Sequence, residues 1–332
     1  LAKQRTKNCK SVCGESDVCI GQPTIADISL GETHSCILTV TGKVKCWGYG
    51  PFNTLGYANI NIIGDDETPA TVGFVDIGAT VTQLSSGNYH NCALLSSGAV
   101  KCWGSSYLGQ LGYANTNSIG GTETPATAGN VNVGGNVSYL ASGAEHSCAI
   151  LTNGNVACWG NGLFGRLGYG DPQNIGDDET PASQGVINLY PIPEDDEIQE
   201  RATQLALGGD FSCALLNTGN VRCWGSQASG QIGTGNLNYI GDNEAPSTIP
   251  TINIGGSVKQ ITAGLRHACA LLTNGTVRCW GSSTYGQLGY ANTFDVGRTE
   301  HPATAGNVNV GGTVIQITAG RLHTCALLDT GK

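Results

Sequence analysis

Ten cysteines of this chain stand in pairs ten residues apart: Cys36 with Cys46, Cys92 with Cys102, Cys148 with Cys158, Cys213 with Cys223, and Cys269 with Cys279. Successive first members lie 56, 56, 65 and 56 residues apart, and Cys325 follows after another 56. All five tryptophans (Trp47, Trp103, Trp159, Trp224, Trp280) directly follow the second cysteine of a pair, and each is followed by Gly. A period of this length sustained along a chain means one supersecondary unit repeated and stacked, because a single copy cannot bury its own apolar face. The long step holds an insertion around Tyr190 to Glu200.

Each copy reads as short strands. Val81-Thr82-Gln83-Leu84 alternates, Cys92-Ala93-Leu94-Leu95 runs into a turn, and Ala99-Val100-Lys101-Cys102-Trp103 returns. The turns Ser96-Ser97-Gly98, Thr152-Asn153-Gly154, Asn217-Thr218-Gly219 and Thr273-Asn274-Gly275 end on Gly, as in a type I turn closed by a left-handed Gly bulge. That turn sets Leu151 against Asn155, and counting back puts Cys148 opposite Cys158. Cross-strand neighbours are about 4.5–5.5 Å apart, within disulfide reach. We therefore expect one disulfide in each hairpin, and with it an oxidising compartment.

Composition agrees with a closed β architecture. Gly supplies 50 of 332 residues and charged residues only 12%, which suits strands joined by tight loops better than solvated helices. The net charge of −9 opposes nucleic acid and anionic membrane surfaces. No apolar run approaches the ~20 residues of a membrane span.

The pattern G-x-x-H-x-C-A-L-L-x-x-G-x-V-x-C-W-G-x-x-x-x-G-Q-L-G, clearest from Gly87 to Gly112 and from Gly264 to Gly289, resembles the regulator of chromosome condensation repeat. The resemblance runs from about residue 26 to the end. It implies an all-β propeller of four-stranded blades, about six to seven of them. The paired cysteines suggest a secreted, bacterial-type version of the family. A segment 1–25 precedes repeat cores near 26–80, 81–135, 136–200, 201–256 and 257–312, with a shorter sixth at 313–332. The cysteine pairs, the enlarged loop after G-Q-L-G-Y and the incomplete sixth core depart from the family pattern, and they weaken any transfer of exchange activity towards a small GTPase.

Three groups of residues are candidate sites. His34, His90, His146, His267 and His323 sit two residues before a cysteine, on the sulfur's face of a strand, so a Cys₂His metal site is conceivable. Phe211 replaces the histidine where Cys213 and Cys223 persist, and His90 faces Gly104, so packing is the preferred reading. Asp65, Asp66 and Glu67, with Asp177, Asp178 and Glu179, could hold Ca²⁺. Only the Glu recurs in every copy (Glu67, Glu123, Glu179, Glu244, Glu300), which favours a turn-forming acceptor and no cofactor. Phe52, Tyr107, Phe164 and Tyr285 follow C-W-G, with Ser229 in the fourth copy. In a propeller these loops gather on one face as binding anchors, unless each ring packs under its own loop.

Catalytic patterns are missing: there is no nucleophile elbow and no H-E-x-x-H, and the G-x-G segments lie in strands and turns. The expectation is a non-enzymatic, secreted or cell-surface module that presents its loops to a protein. Alternatives are a proteinaceous inhibitor of the β-lactamase-inhibitor propeller type, implied by the resemblance, or a structural subunit of an extracellular assembly. Cys9, Cys13, Cys19 and Cys325 are left over. The opening Leu1-Ala2-Lys3-Gln4 lacks an initiator Met, and we expect the partner of Cys325 beyond Lys332, with Cys19 in Val18-Cys19-Ile20-Gly21 as the alternative. The acidic, proline-bearing stretch Tyr190 to Glu197 reads as a loop on the rim of the binding face or as a solvated excursion.

Overall fold

Residues 24–190 and 200–332 are described by a computed structural model. Cys9, Cys13, Cys19 and the acidic heart of the insertion lie outside them. Six antiparallel sheets follow one another along the chain. The first holds β1 (Ile25–Leu30), β2 (His34–Thr39) and β3 (Val44–Gly48), and the second β4 (Val81–Ser86), β5 (His90–Leu95) and β6 (Val100–Gly104). The third holds β7 (Val137–Ser142), β8 (His146–Leu151) and β9 (Val156–Gly160). The fourth holds β10 (Ala202–Leu207), β11 (Phe211–Leu216) and β12 (Val221–Gly225). The fifth holds β13 (Val258–Ala263), β14 (His267–Leu272) and β15 (Val277–Gly281), and the sixth β16 (Val314–Ala319) and β17 (Thr324–Leu328). Their inner ends surround one central channel, lined by Gly31, Gly87, Gly143, Gly208, Gly264 and Gly320 among others.

The turn chemistry sets the register that the spacing requires. Gly98 and Gly154 adopt φ of 83° and 88°, open to Gly at no steric cost, and Cys148 pairs directly with Cys158. In all five hairpins the two sulfurs are at bonding distance, with Cα atoms 4.0–4.1 Å apart. Among the described cysteines, Cys325 is free and exposed.

Blades one to five have three strands and not the expected four, and blade six has two among the described residues. The segment in fourth position touches the third strand only at its ends, through Gly104 with Ile119 and Val100 with Val131 in blade two. In blades one, two, three and five a tyrosine occupies the gap, and blade four, with Thr234 at that position, has three strands too. The Tyr113 hydroxyl accepts a hydrogen bond from Cys102 N at 3.1 Å and donates one to Cys102 O at 3.2 Å, filling the edge a fourth strand would occupy. Tyr57, Tyr169 and Tyr290 do the same at Cys46, Cys158 and Cys279. Burial pushes the Tyr113 and Tyr169 phenols up to about 12, so both remain protonated donors. We expect Tyr113→Phe to cost about 1–3 kcal/mol in urea unfolding, because it strands a buried N–H and C=O. An unchanged midpoint would show that water replaces the hydroxyl.

Consecutive blades are joined by side chains that each copy offers to the next. Gln83 Nε2 donates to Leu140 O at 2.8 Å while its Oε1 accepts from Leu140 N at 3.0 Å, and Gln204 and Gln260 clamp Ile261 and Ile317 in the same way. Each buried indole also donates to the preceding blade, Trp103 to Thr54 O at 3.0 Å and Trp159 to Gln110 O at 3.0 Å. Blade one has no such neighbour among the described residues. Ile25 and Ile28 are 50% and 58% exposed there, whereas their counterparts Val81 and Leu84 are 3% and 4% exposed. An Arg321–Glu32 ion pair reaches across from blade six.

Candidate functional site

The histidines are structural ties between blades. His90 Nε2 lies 2.9 Å from Ser147 Oγ, His146 from Ser212, His34 from Asn91 Oδ1 and His267 from Thr324 Oγ1, always on the next blade. The five cysteine pairs close on themselves, so their sulfurs are not free to ligate a metal with these rings. Burial pulls the imidazoles down, His90 to about 3 and His267 to about 4. Phe211 fills the same space in blade four, fully buried against Gly208. His323 is exposed.

In blades one and five the recurring glutamate closes its loop. Glu67 Oε1 accepts from Gly64 N and Glu300 Oε1 from Gly297 N, both at 3.2 Å. The carboxylate oxygens of Asp65, Asp66 and Glu67, and those of Asp177, Asp178 and Glu179, lie within 4.8 Å of one another. The Glu67 carboxyl is pushed up chiefly by its contact with Asp66, and that of Glu179 chiefly by burial, then by Asp178.

The loops after C-W-G share a face with the channel mouth. Each is tied at its first residue to the tight turn beside the channel: Ser105 N donates to Tyr89 O, Asn161 N to Glu145 O and Ser282 N to Arg266 O. Phe52, Tyr107, Phe164 and Tyr285 are 43%, 51%, 42% and 70% exposed. Three of them lean on the following blade, and Phe52 also meets Tyr49 of its own loop with ring centroids 5.5 Å apart. Phe52 meets Tyr89 at a tilt with ring centroids 4.5 Å apart, Tyr107 donates to Glu145 Oε1 at 2.7 Å, and Phe164 meets Tyr239 edge-on at 5.7 Å. Counting back from the closing G-x-L-G, Tyr107 stands one position earlier than the other three, whose place Leu108 takes in blade two. The four are therefore not strictly equivalent.

Two features escaped the sequence reading. Phe164 holds φ at 64°, an unusual conformation for a bulky side chain, with the Arg166 guanidinium 5.8 Å from its ring. Phe294 is 76% exposed on the flank of blade five. It stands where the first two copies have Asn61 and Asn117, and that substitution was the available signal.

The description "Regulator of chromosome condensation (RCC1) repeat" matches residues 25–53, 81–110, 137–166, 202–231 and 258–287, and again 274–327. The chain is 28% identical over 274 residues to the Ultraviolet-B receptor UVR8 of Arabidopsis thaliana, covering 82% of this chain and 56% of that protein. It is 30% identical over 256 residues to the probable E3 ubiquitin-protein ligase HERC6 of Homo sapiens, covering 77% and 23%. The chain thus spans little more than half of one relative and a quarter or less of the other. Human WBSCR16 superposes with a TM-score of 0.71 at 20% identity, covering 91% of this chain and 71% of that one. Yeast RCC1 (Prp20), solved bound to Kap60, gives 0.69 at 19%, covering 92% and 67%.

Proposed function

Because the chain belongs to the regulator of chromosome condensation repeat family, we propose that it is a protein–protein interaction module whose channel-mouth face receives a protein partner. The observation that carries this reading is the aromatic set Phe52, Tyr107, Phe164 and Tyr285. These rings stay about half exposed or more on one face, and three of them are held in place by the next blade. Anchors already ordered before binding lose little side-chain entropy when a partner covers them. The strained backbone at Phe164 supports the same reading, since strain of this kind collects at functional positions. Yeast RCC1 was solved with a protein bound, which is consistent with such a role for this fold.

Five cysteine pairs at disulfide distance support an oxidising setting, secreted or on a cell surface. Among the described residues no helix is long and apolar enough to cross a membrane. The test is capture of the native partner, identified by mass spectrometry, with Phe164→Ala and Tyr285→Ala compared with the parent. Each substitution should weaken capture by about 2 kcal/mol. Tyr285→Ala should leave the melting temperature nearly unchanged. A large loss of thermal stability with capture intact would instead mean that the rings serve packing.

A further inference from the structure

We propose that Arg166 positions Phe164 for binding, by holding the turn that carries this ring in a form found in no other described blade. This rests on the protein-interaction reading and names the residue that shapes its surface. The turn runs from Gly162 to Gly165 and is closed by Gly165 N donating to Gly162 O at 3.1 Å. Its counterparts at 106–109, 227–230 and 283–286 are closed in the same way. In those three a glutamine follows the turn, and its Oε1 accepts the N–H of the third turn residue. Gln110 accepts from Leu108, Gln231 from Ser229 and Gln287 from Tyr285, at 2.7–2.9 Å. Leu108, Ser229 and Tyr285 all keep negative φ, as in a type I turn.

Blade three has Arg166 in the glutamine's place, and a guanidinium carries donors but no acceptor. It therefore has nothing to offer the Phe164 N–H. Instead Arg166 Nε donates to Leu163 O at 3.0 Å, the other end of the same peptide group. Turning that peptide over converts a type I turn to type II, whose third residue has φ > 0 and favours Gly. Phe164 occupies that position at φ 64° and ψ 16°. Asn161 is also peculiar to blade three, but its Oδ1 accepts from Leu163 N and so fixes the preceding peptide, not the one turned over.

The arginine can impose this form because it is itself fixed. It is 5% exposed, one amino group donates to Gly209 O of blade four at 3.0 Å, and the same group lies 3.8 Å from Glu145 Oε2. Its charge is thus spent inside the protein, and it acts on the loop and not on the partner. The flipped turn leaves Phe164 edge-on to Tyr239 and 42% exposed, beside Leu163 at 54%. A partner meets two adjacent apolar side chains there, carried by a left-handed backbone that the other copies do without.

Arg166→Gln, made in the full chain, gives blade three the residue of blades two, four and five. The backbone there is pinned by Ser212 Oγ and Trp224 Nε1, which donate to Arg166 O at 2.8 and 3.0 Å, and Glu145 keeps its bonds from Tyr107 and Asn161. If the variant does not fold, Arg166→Met, which has no charge to bury and no donor, carries the same comparison. NMR of the parent should show an NOE between the Phe164 and Tyr239 rings, and the variant should lose it. Affinity for the protein captured by the parent chain should fall about tenfold, with no further fall when Arg166→Gln is added to Phe164→Ala. A merely structural role would lower affinity equally in both backgrounds. That equal loss, or an NOE that survives Arg166→Gln, would overturn the proposal. An NOE lost while Arg166→Gln and Phe164→Ala both bind like the parent defeats the aromatic-face reading instead, and with it the purpose of the positioning.

Discussion

Gly87→Ala should destabilise the protein by about 3 kcal/mol, a large effect for one methyl group. A Cβ there would lie 2.2 Å from His90 Cε1 and 2.4 Å from Gly143 O of the next blade. Neither neighbour can yield: the His90 ring is fully buried and tied to Ser147, and the carbonyl belongs to the ring of turns around the channel. Gly143 and Gly264 occupy the same position in their blades, with histidine and carbonyl contacts between 2.2 and 2.5 Å. Gly73 is the control. A Cβ there meets nothing within 4 Å, so Gly73→Ala should leave the urea midpoint within error. If Gly87→Ala unfolded at the same urea concentration as Gly73→Ala, the blades would have to be far more loosely docked than described.

Acid should unfold the protein through the same layer. Burial holds the imidazoles neutral, His90 with a pKa of about 3 and His267 about 4, against 6.5 in the unfolded chain. Burial lowers His146 well below that value too, aided by Arg166 and His90, and lowers His34. Below pH 6.5 the unfolded chain therefore binds protons that the folded one refuses. Stability is whole above pH 6.5 and falls as pH drops towards 4 for His267 and 3 for His90, at about 1.4 kcal/mol per pH unit for each histidine. Glu179 and Glu244 act in the opposite direction, since their folded pKa values are raised, but both are far less buried and offset little. Urea midpoints at pH 7, 5.5 and 4 should show the fall. His90→Phe, which copies what Phe211 does in blade four, should flatten the slope by one histidine's share. A flat profile in the parent would mean that the rings accept protons inside the folded protein.

The repeat was legible because it is written in residues with few alternative uses. Cysteine, tryptophan and turn glycine at fixed offsets left the hairpin register almost no freedom, and His90 opposite Gly104 and Cys148 opposite Cys158 follow from counting. The candidate face was legible only in outline. Phe52, Phe164 and Tyr285 could be aligned from the sequence, but whether a ring turns inward or rests on the next blade depends on a partner 37 to 75 residues away, such as Tyr89 for Phe52 or Tyr239 for Phe164. Nothing local encodes that choice.

The sequence by itself determined the unit: a hairpin preceded by an inner strand, tied by one cysteine pair and repeated at 56 residues, because local turn geometry and cross-strand spacing set those features. Only the tertiary structure decided how the units join and where each blade stops. The Gln83, His90 and Trp103 contacts reach 49 to 57 residues along the chain, from one copy to the next. In blade two the Tyr113 hydroxyl holds the Cys102 backbone groups that a fourth strand would use. A polar side chain and a strand compete for the same N–H and C=O, and the outcome depends on which of them the folded chain brings within 3 Å.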